Sequence, residues 1–360
     1  MDINDFQGFG FSAYRSIGEQ TVKIGPLKKI NFIIGQNNTG KSNIINYLHQ
    51  HYSYVLGKIN HAQNYSATDK STFGELDKTI GSNSGKRAAA FALDEKQLSK
   101  FIDSLISPQM DAGNKGYYTS SLKKILSTFR EENGLYWFEY HTATSRNEFI
   151  LKYDQDLLVN VLSQQEWNSL WTKLTNQTGG DFRAHWFPEV MRKLAYRPDY
   201  APRIEVIPAI RRIGESGSVS EDFSGIGIID RLAKLESPAL NERYNRDKFN
   251  KINRFLQTVL DNPSATLTIP YERDTILVEI DRRMLPLTSL GTGIHEVVIL
   301  ASASTILENT IVCIEEPELH LHPLLQKKLV KYLAINTNNK YLFTTHSAHL
   351  LDAVDAEIFH

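Results

Sequence analysis

Apolar and polar positions along the chain fall into a few sharply different patterns. Lys29-Ile30-Asn31-Phe32-Ile33-Ile34 is an apolar run that stops at Gly35. From Lys41 to Gln50 the apolar residues Ile44, Ile45 and Leu48 follow helical spacing. The first fifty residues therefore read as strand, turn, strand, loop, helix. From Gly57 to Leu93 the periodicity fades among Asn, Ser, Thr, Gly and Lys, which predicts a long loop. Beyond it Leu98, Phe101, Ile102 and Leu105 share one helical face, as do Leu122, Ile125, Leu126 and Phe129. Leu135–His141 and Phe149–Tyr153 read as strands, and Leu157–Leu174 as a helix whose Trp167 and Trp171, four apart, are core residues.

The second half changes rhythm. Ile204–Ile210 is a short strand broken by Pro208, followed by helices at Ile228–Leu235 and Asn241–Leu260. Ala265–Pro270 and Thr275–Asp281 alternate in the manner of a β-hairpin. The last eighty or so residues run helix, strand, helix, strand, helix, at Gly293–Leu307, Thr310–Ile314, Pro323–Leu333, Lys340–Thr344 and Ser347–Ala353. That alternation predicts an α/β fold with a parallel sheet and helices on its faces.

Composition narrows the picture only slightly. The 40 basic and 41 acidic residues nearly cancel, so net charge points to no nucleic-acid partner, although a local basic groove is not excluded by it. Cys313 is the single cysteine and lies within an apolar run, which favours a reducing cytoplasm over a disulfide-stapled secreted protein. No apolar stretch approaches the roughly 20 residues needed to span a bilayer, and residues 1–10 lack a basic start and apolar core, so neither a membrane role nor a signal peptide is expected.

Four strings carry chemistry. Gly35-Gln36-Asn37-Asn38-Thr39-Gly40-Lys41-Ser42 satisfies the phosphate-loop pattern G-x-x-x-x-G-K-S/T in full. Backbone N–H groups of such a loop wrap a β-phosphate, Lys41 reaches the β- and γ-phosphates, and Ser42 joins a Mg²⁺ shell. The strand before and the helix after set aside a chance match. Thr310–Ile314 ends in Glu315 and Glu316, so Glu315 is expected to hold Mg²⁺ and Glu316 to polarise the attacking water as general base. Lys340–Thr345 delivers His346 to a strand end, where it would sense the γ-phosphate. Finally, Leu287-Thr288-Ser289-Leu290-Gly291-Thr292-Gly293 sits at a helix start about twenty residues ahead of the acidic strand, making a second anion cradle from Ser289, Gly291 and Gly293. On its own it is an ordinary helix cap.

Taken in order, these strings resemble the ABC-type ATPase heads of the RecF, SMC and overcoming-lysogenization-defect (OLD) group, and most of all the OLD-like AAA ATPases of bacterial phage-defence systems. The resemblance is carried by residues 30–43, by Glu315-Glu316-Pro317-Glu318-Leu319-His320-Leu321-His322-Pro323 and by Thr344-Thr345-His346-Ser347, and it spans roughly residues 5–50 and 203–360. It implies ATP and Mg²⁺ as ligands, with Asn43 joining the phosphate-loop residues at the nucleotide. It also implies that Ser289–Gly293 is a signature motif acting on the ATP of a second copy, with Leu319–His322 as a D-loop at that junction. His320 and His322 then read as structural residues rather than a metal pair. Tyr14-Arg15-Ser16 would lie near the adenine. Arg211 has two readings, facing nucleotide or neighbour, or simply solvated. No glutamine fits the Q-loop of these proteins.

The expected organisation is residues 1–56 and 203–360 as the two parts of a P-loop ABC-type ATPase head, a mixed sheet with flanking helices, and 57–202 as a mainly helical inserted lobe. That insert is too short for SMC coiled-coil arms. OLD-type proteins often continue into a TOPRIM nuclease domain, whereas this sequence ends at Glu357-Ile358-Phe359-His360. The leading expectation is thus a homodimer or higher oligomer whose ATP cycle controls a nuclease or toxin effector, carried on another chain or in a missing C-terminal region, in anti-phage defence. Two alternatives remain: a RecF-like repair ATPase that clamps DNA, and a slowly hydrolysing ATP-bound scaffold that holds an effector.

Overall fold

A computed structural model of the protein describes residues 3–36, 39–60, 73–79, 86–106, 112–142, 148–215, 217–220 and 222–360. The chain divides into two compact units. One comprises Lys28–His49 with Pro202–His360, the other Ile3–Leu27 with Gln50–Ala201. This division differs from the expected 1–56, 57–202 and 203–360. The N-terminal residues as far as Leu27 group with the insert, because their strands pair with strands of the insert.

The first unit is built on a five-stranded parallel sheet. Its strand order is Glu357–Phe359, Ile30–Ile34, Lys340–Thr345, Ile311–Glu315, Ile204–Ile207. Lys340–Thr345 is buried throughout, while Ile30–Ile34 and Ile311–Glu315 are buried up to their last residue. Continuous apolar runs of this kind suit a parallel sheet covered on both faces, where no polar side is needed. Ile311–Glu315, helix Pro323–Asn336 and Lys340–Thr345 form a βαβ unit. Pro323 sits where a helix tolerates a missing N–H, and the His322 side chain accepts a hydrogen bond from the Leu324 N–H as the cap. Cys313 is fully buried in the middle of its strand, and burial pushes its thiol pKa up. A separate three-stranded antiparallel sheet, Arg283–Pro286, Leu277–Ile280, Thr266–Thr268, contains the expected hairpin and adds a third strand.

The helix Thr292–Ile306 is apolar around most of its circumference and buried from Glu296 to Ser304. It packs on helix Tyr244–Leu260, within a core that also contains Phe32, Val312, Ile314 and Phe343. A helix hydrophobic on all sides belongs inside a protein.

The second unit is organised on a five-stranded antiparallel sheet, ordered Val22–Ile24, Phe9–Phe11, Ala88–Leu93, Tyr136–Thr142, Phe149–Leu151. Helices outweigh strands among the described residues of its inserted part. The expected loop 57–93 is replaced at both ends. Helix Tyr52–Asn60 runs into it, and Ala88–Leu93 is a fully buried strand. Residues 61–72 and 80–85 of that expectation lie outside the described residues. The expected helix 157–174 is two helices, Gln155–Val159 and Gln164–Thr175. Ser163 starts the second with a capping box closed by Glu166, which is why the chain breaks there. Trp167 and Trp171 are buried. Among the described residues, no helix is long and apolar enough to cross a membrane.

Candidate nucleotide site

Strand register brings the expected site residues to one edge. Glu315 lies opposite Thr344, Thr344 opposite Ile33, and Thr345 opposite Ile34. Three adjacent strands therefore end together, at Gly35, Glu316 and His346. The crevice outside the carboxyl ends of parallel strands is where open α/β sheets bind ligands.

At the phosphate loop, helix Lys41–Asn46 begins directly after Gly40, whose φ of 99° falls in the left-handed region that glycine enters without steric penalty. Lys41 is buried, and its Nζ donates to the carbonyls of Gly35 and Gln36, at 2.8 Å each. Burial lowers the Lys41 pKa, while the nearby charges of Glu316 and Glu318 oppose that shift. Thr39 Oγ1 donates to Gln36 O at 2.9 Å, Ser42 is exposed, and Asn43 is partly buried. Asn37 and Asn38 lie outside the described residues.

The acidic strand end makes a turn that simple alternation does not anticipate. Glu316 has φ 42°, and its N–H donates to Thr344 O at 2.9 Å. A non-glycine residue in this region is held there by its surroundings. His346 Nε2 stands 3.6 Å from Glu316 Oε1. The structure thus brings Lys41, Glu315, Glu316 and His346 to the same edge.

Glu318 was not singled out from the sequence, although it is the third acid of Glu-Glu-Pro-Glu. Its Oε1 accepts from Thr345 Oγ1 and from the His346 N–H, both at 2.7 Å, so it fixes the turn that carries His346. Among the described residues its Oε2 is buried without a hydrogen-bond partner. Buried Gln326 ties the neighbouring turns together, donating to Leu321 O at 2.8 Å while accepting from Ser347 Oγ at 3.1 Å.

Arg211 contradicts both of its sequence readings. Its side chain is 0% exposed and turns into the protein, pairing through Nε with Glu296 on helix Thr292–Ile306. Its NH1 donates to the carbonyls of Pro208 and Glu315 at 2.9 Å, and NH2 donates to the Glu316 carbonyl at 3.1 Å. The available signal was an acid, Glu296, in the first turns of an otherwise apolar helix.

Ser289 and Gly291 are exposed at the start of that helix, and none of the bonds just described reaches them. Gly293 is needed for close approach, since a Cβ there would stand 2.9 Å from the carbonyl of His320. His320 is exposed with φ 61°, and His322 is the helix cap described above. Among the described residues no group of three or more His, Cys, Asp or Glu gathers as a metal cluster. Tyr14 is buried among aromatic rings of the second unit, and Arg15 Nε bonds Asp77 Oδ1 at 2.9 Å.

Residues 227–351 match the family model described as AAA ATPase domain, a span holding the second cradle, the acidic strand and His346. With the complete phosphate-loop string ahead of it, the chain is a P-loop ATPase. Similar solved structures include an SMC head bound to the C-terminal winged-helix domain of ScpA, at 12% identity and TM-score 0.45, covering 97% of this chain and 92% of that one. Another is the SMC head domain from Thermotoga maritima, at 12% identity and TM-score 0.42, with coverage of 97% and 92%. No curated protein sequence matches the chain.

Proposed function

We propose that the chain binds Mg-ATP at the carboxyl edge of the parallel sheet and hydrolyses it between two copies joined head to head. The carrying observation is the convergence of Lys41, Glu315, Glu316 and His346 on three adjacent strand ends. The residues fit the ligands: buried Lys41 supplies the cation for phosphate oxygens, and the carboxylates of Glu316 and Glu318 near it suit the divalent cation that accompanies them. Ser42 and Glu315 would hold Mg²⁺, which when bound neutralises charge on the phosphates. Glu316 accepts the proton of the attacking water, and His346, held by Glu318 and 3.6 Å from the Glu316 carboxylate, would sense the γ-phosphate. Gly35, Thr39, Gly40 and Asn43 line the phosphates.

Exposed Ser289, with Gly291 and Gly293, serves the nucleotide of the other copy. Donors fixed in advance and aimed at developing charge are the type that lowers a phosphoryl-transfer barrier. The resemblance of the Glu-Glu-Pro-Glu string to OLD-like heads supports the further reading that this cycle controls a nuclease or toxin effector in anti-phage defence.

The test is ATPase rate per subunit against protein concentration, with Lys41→Ala as the control that should abolish turnover. A rate that falls on dilution and vanishes in the variant is expected. A rate per subunit independent of concentration, down to monomer, would show a site complete within one chain.

A further inference from the structure

We propose that Arg211 and Glu296 form a mechanical link between the exposed Ser289–Gly293 end of helix Thr292–Ile306 and the backbone of Glu316, making Arg211 a positioning residue for the general base. The proposal rests on the ATPase reading above and adds to it how one site is regulated.

Glu296 is 4% exposed within a helix whose buried face is otherwise apolar or small. A buried carboxylate is expensive unless paired and hydrogen-bonded, and well-packed apolar residues often serve stability as well as a buried ion pair does. Stability alone therefore gives little reason for this pair.

The bonds of Arg211 supply another reason. The peptide planes on either side of a Cα set its φ and ψ. The carbonyl of Glu315 belongs to the plane before the Glu316 Cα, and the carbonyl of Glu316 to the plane after it. Arg211 holds both, through NH1 at 2.9 Å and NH2 at 3.1 Å. A guanidinium is a rigid planar fork, so these two grips cannot move independently. Together with the bond from the Glu316 N–H to Thr344 O, they hold Glu316 at φ 42°, a conformation a non-glycine residue keeps only when over-determined.

The remaining nitrogen, Nε, is on Glu296. Glu296 lies about one helical turn from Gly293, at the end of the helix that presents Ser289 and Gly291. A displacement of that end on meeting the phosphates of a second copy reaches Glu296, rotates the fork, and reorients both planes around Glu316. Each copy's general base thus responds to the use of its own signature end by the partner. The two ATP sites of a dimer become coupled through residues that touch neither nucleotide.

Arg211→Lys keeps the charge and loses the fork. Glu296→Gln keeps the shape and loses the charge. For each, ATP affinity is measured by titration and hydrolysis by single turnover, normalised to bound ATP, with the melting midpoint recorded alongside. The expectation is ATP affinity close to wild type with a single-turnover rate reduced by about tenfold or more, as for a misplaced catalytic group. The Hill coefficient for ATP should fall from above one in wild type to one in Glu296→Gln. Wild-type rates per bound ATP in both variants, or a wild type without cooperativity, would overturn the proposal. So would losses of rate and affinity that merely track the melting midpoint. Should Arg211→Lys fail to fold, Glu296→Gln carries the same readouts. Failure of the ATPase reading looks different: wild type would not hydrolyse ATP, or Lys41→Ala would hydrolyse it equally well.

Discussion

Glu139 of the antiparallel unit and the acids at the carboxyl edge of the parallel sheet are held in opposite ways. In the antiparallel unit, burial pushes the Glu139 pKa up, but more than one partner outweighs that effect. Thr21 Oγ1 donates to its carboxylate at 2.7 Å, His141 Nε2 lies at 2.6 Å and Lys23 Nζ at 3.1 Å, and the pKa is held down at about 2. In the parallel unit, among the described residues, Glu316 has His346, at 3.6 Å, as its one ion-pair partner, and Glu318 keeps one buried oxygen unpartnered. The first arrangement is densely partnered and held as a structural ion cluster. The second holds carboxylates in place while leaving bonding capacity open, as expected of a site that must accept a proton or face a bound cation. Sheet type supports the contrast. Parallel strands end side by side and gather their loops on one edge, whereas hairpin-like pairing sends consecutive ends in opposite directions.

The largest loss is expected at Glu316. Glu316→Gln should retain ATP but lower turnover by about a hundredfold or more, the scale of removing a positioned general base. Rapid-quench measurement of hydrolysis beside equilibrium ATP binding decides it, and unchanged turnover would place the base elsewhere. A smaller, purely structural effect is expected in the other unit. Trp167 is 0% exposed and packs on Phe187, with ring centroids 5.2 Å apart. Trp167→Ala should cost about 3–5 kcal/mol in urea unfolding, while turnover per folded molecule stays at the wild-type level.

The smallest effect sharpens the electrostatic half of the comparison. The Glu139 pKa is depressed in the folded state, from an ordinary 4.5 to about 2. The unfolded chain therefore takes up the proton first on acidification. The stabilisation is complete above pH 4.5 and is lost as pH falls toward 2. Glu139→Gln should flatten the acid limb of the stability profile in that window, measured as melting midpoint against pH. An unchanged limb would mean that other carboxylates govern it.

Much of the parallel unit was legible because its strands are apolar runs ending in chemically distinctive residues, such as Gly35, Glu315-Glu316 and His346. The antiparallel unit was less so. Ala88–Leu93 is mostly alanine, a poor strand former, and becomes a strand because Phe9–Phe11 and Tyr136–Thr142 pair with it on either side. Helix Phe187–Leu194 carries an unambiguous apolar stripe, Phe187, Val190, Met191 and Leu194, that the sequence reading passed over. Arg211 and Glu296 stand 85 positions apart, so no local periodicity joins them. The turn at Glu316 was hidden for a related reason, since its φ is imposed by Arg211 and Thr344 rather than by its own preference.

The single thiol of the chain has a practical consequence. Cys313 is sealed inside the central sheet, and its raised pKa keeps it protonated, whereas alkylating reagents attack the exposed thiolate. The native chain therefore offers a silent background. A cysteine introduced at a surface position can carry a fluorophore or spin label without competition, and distances between labels can be followed on addition of ATP without first removing the native residue.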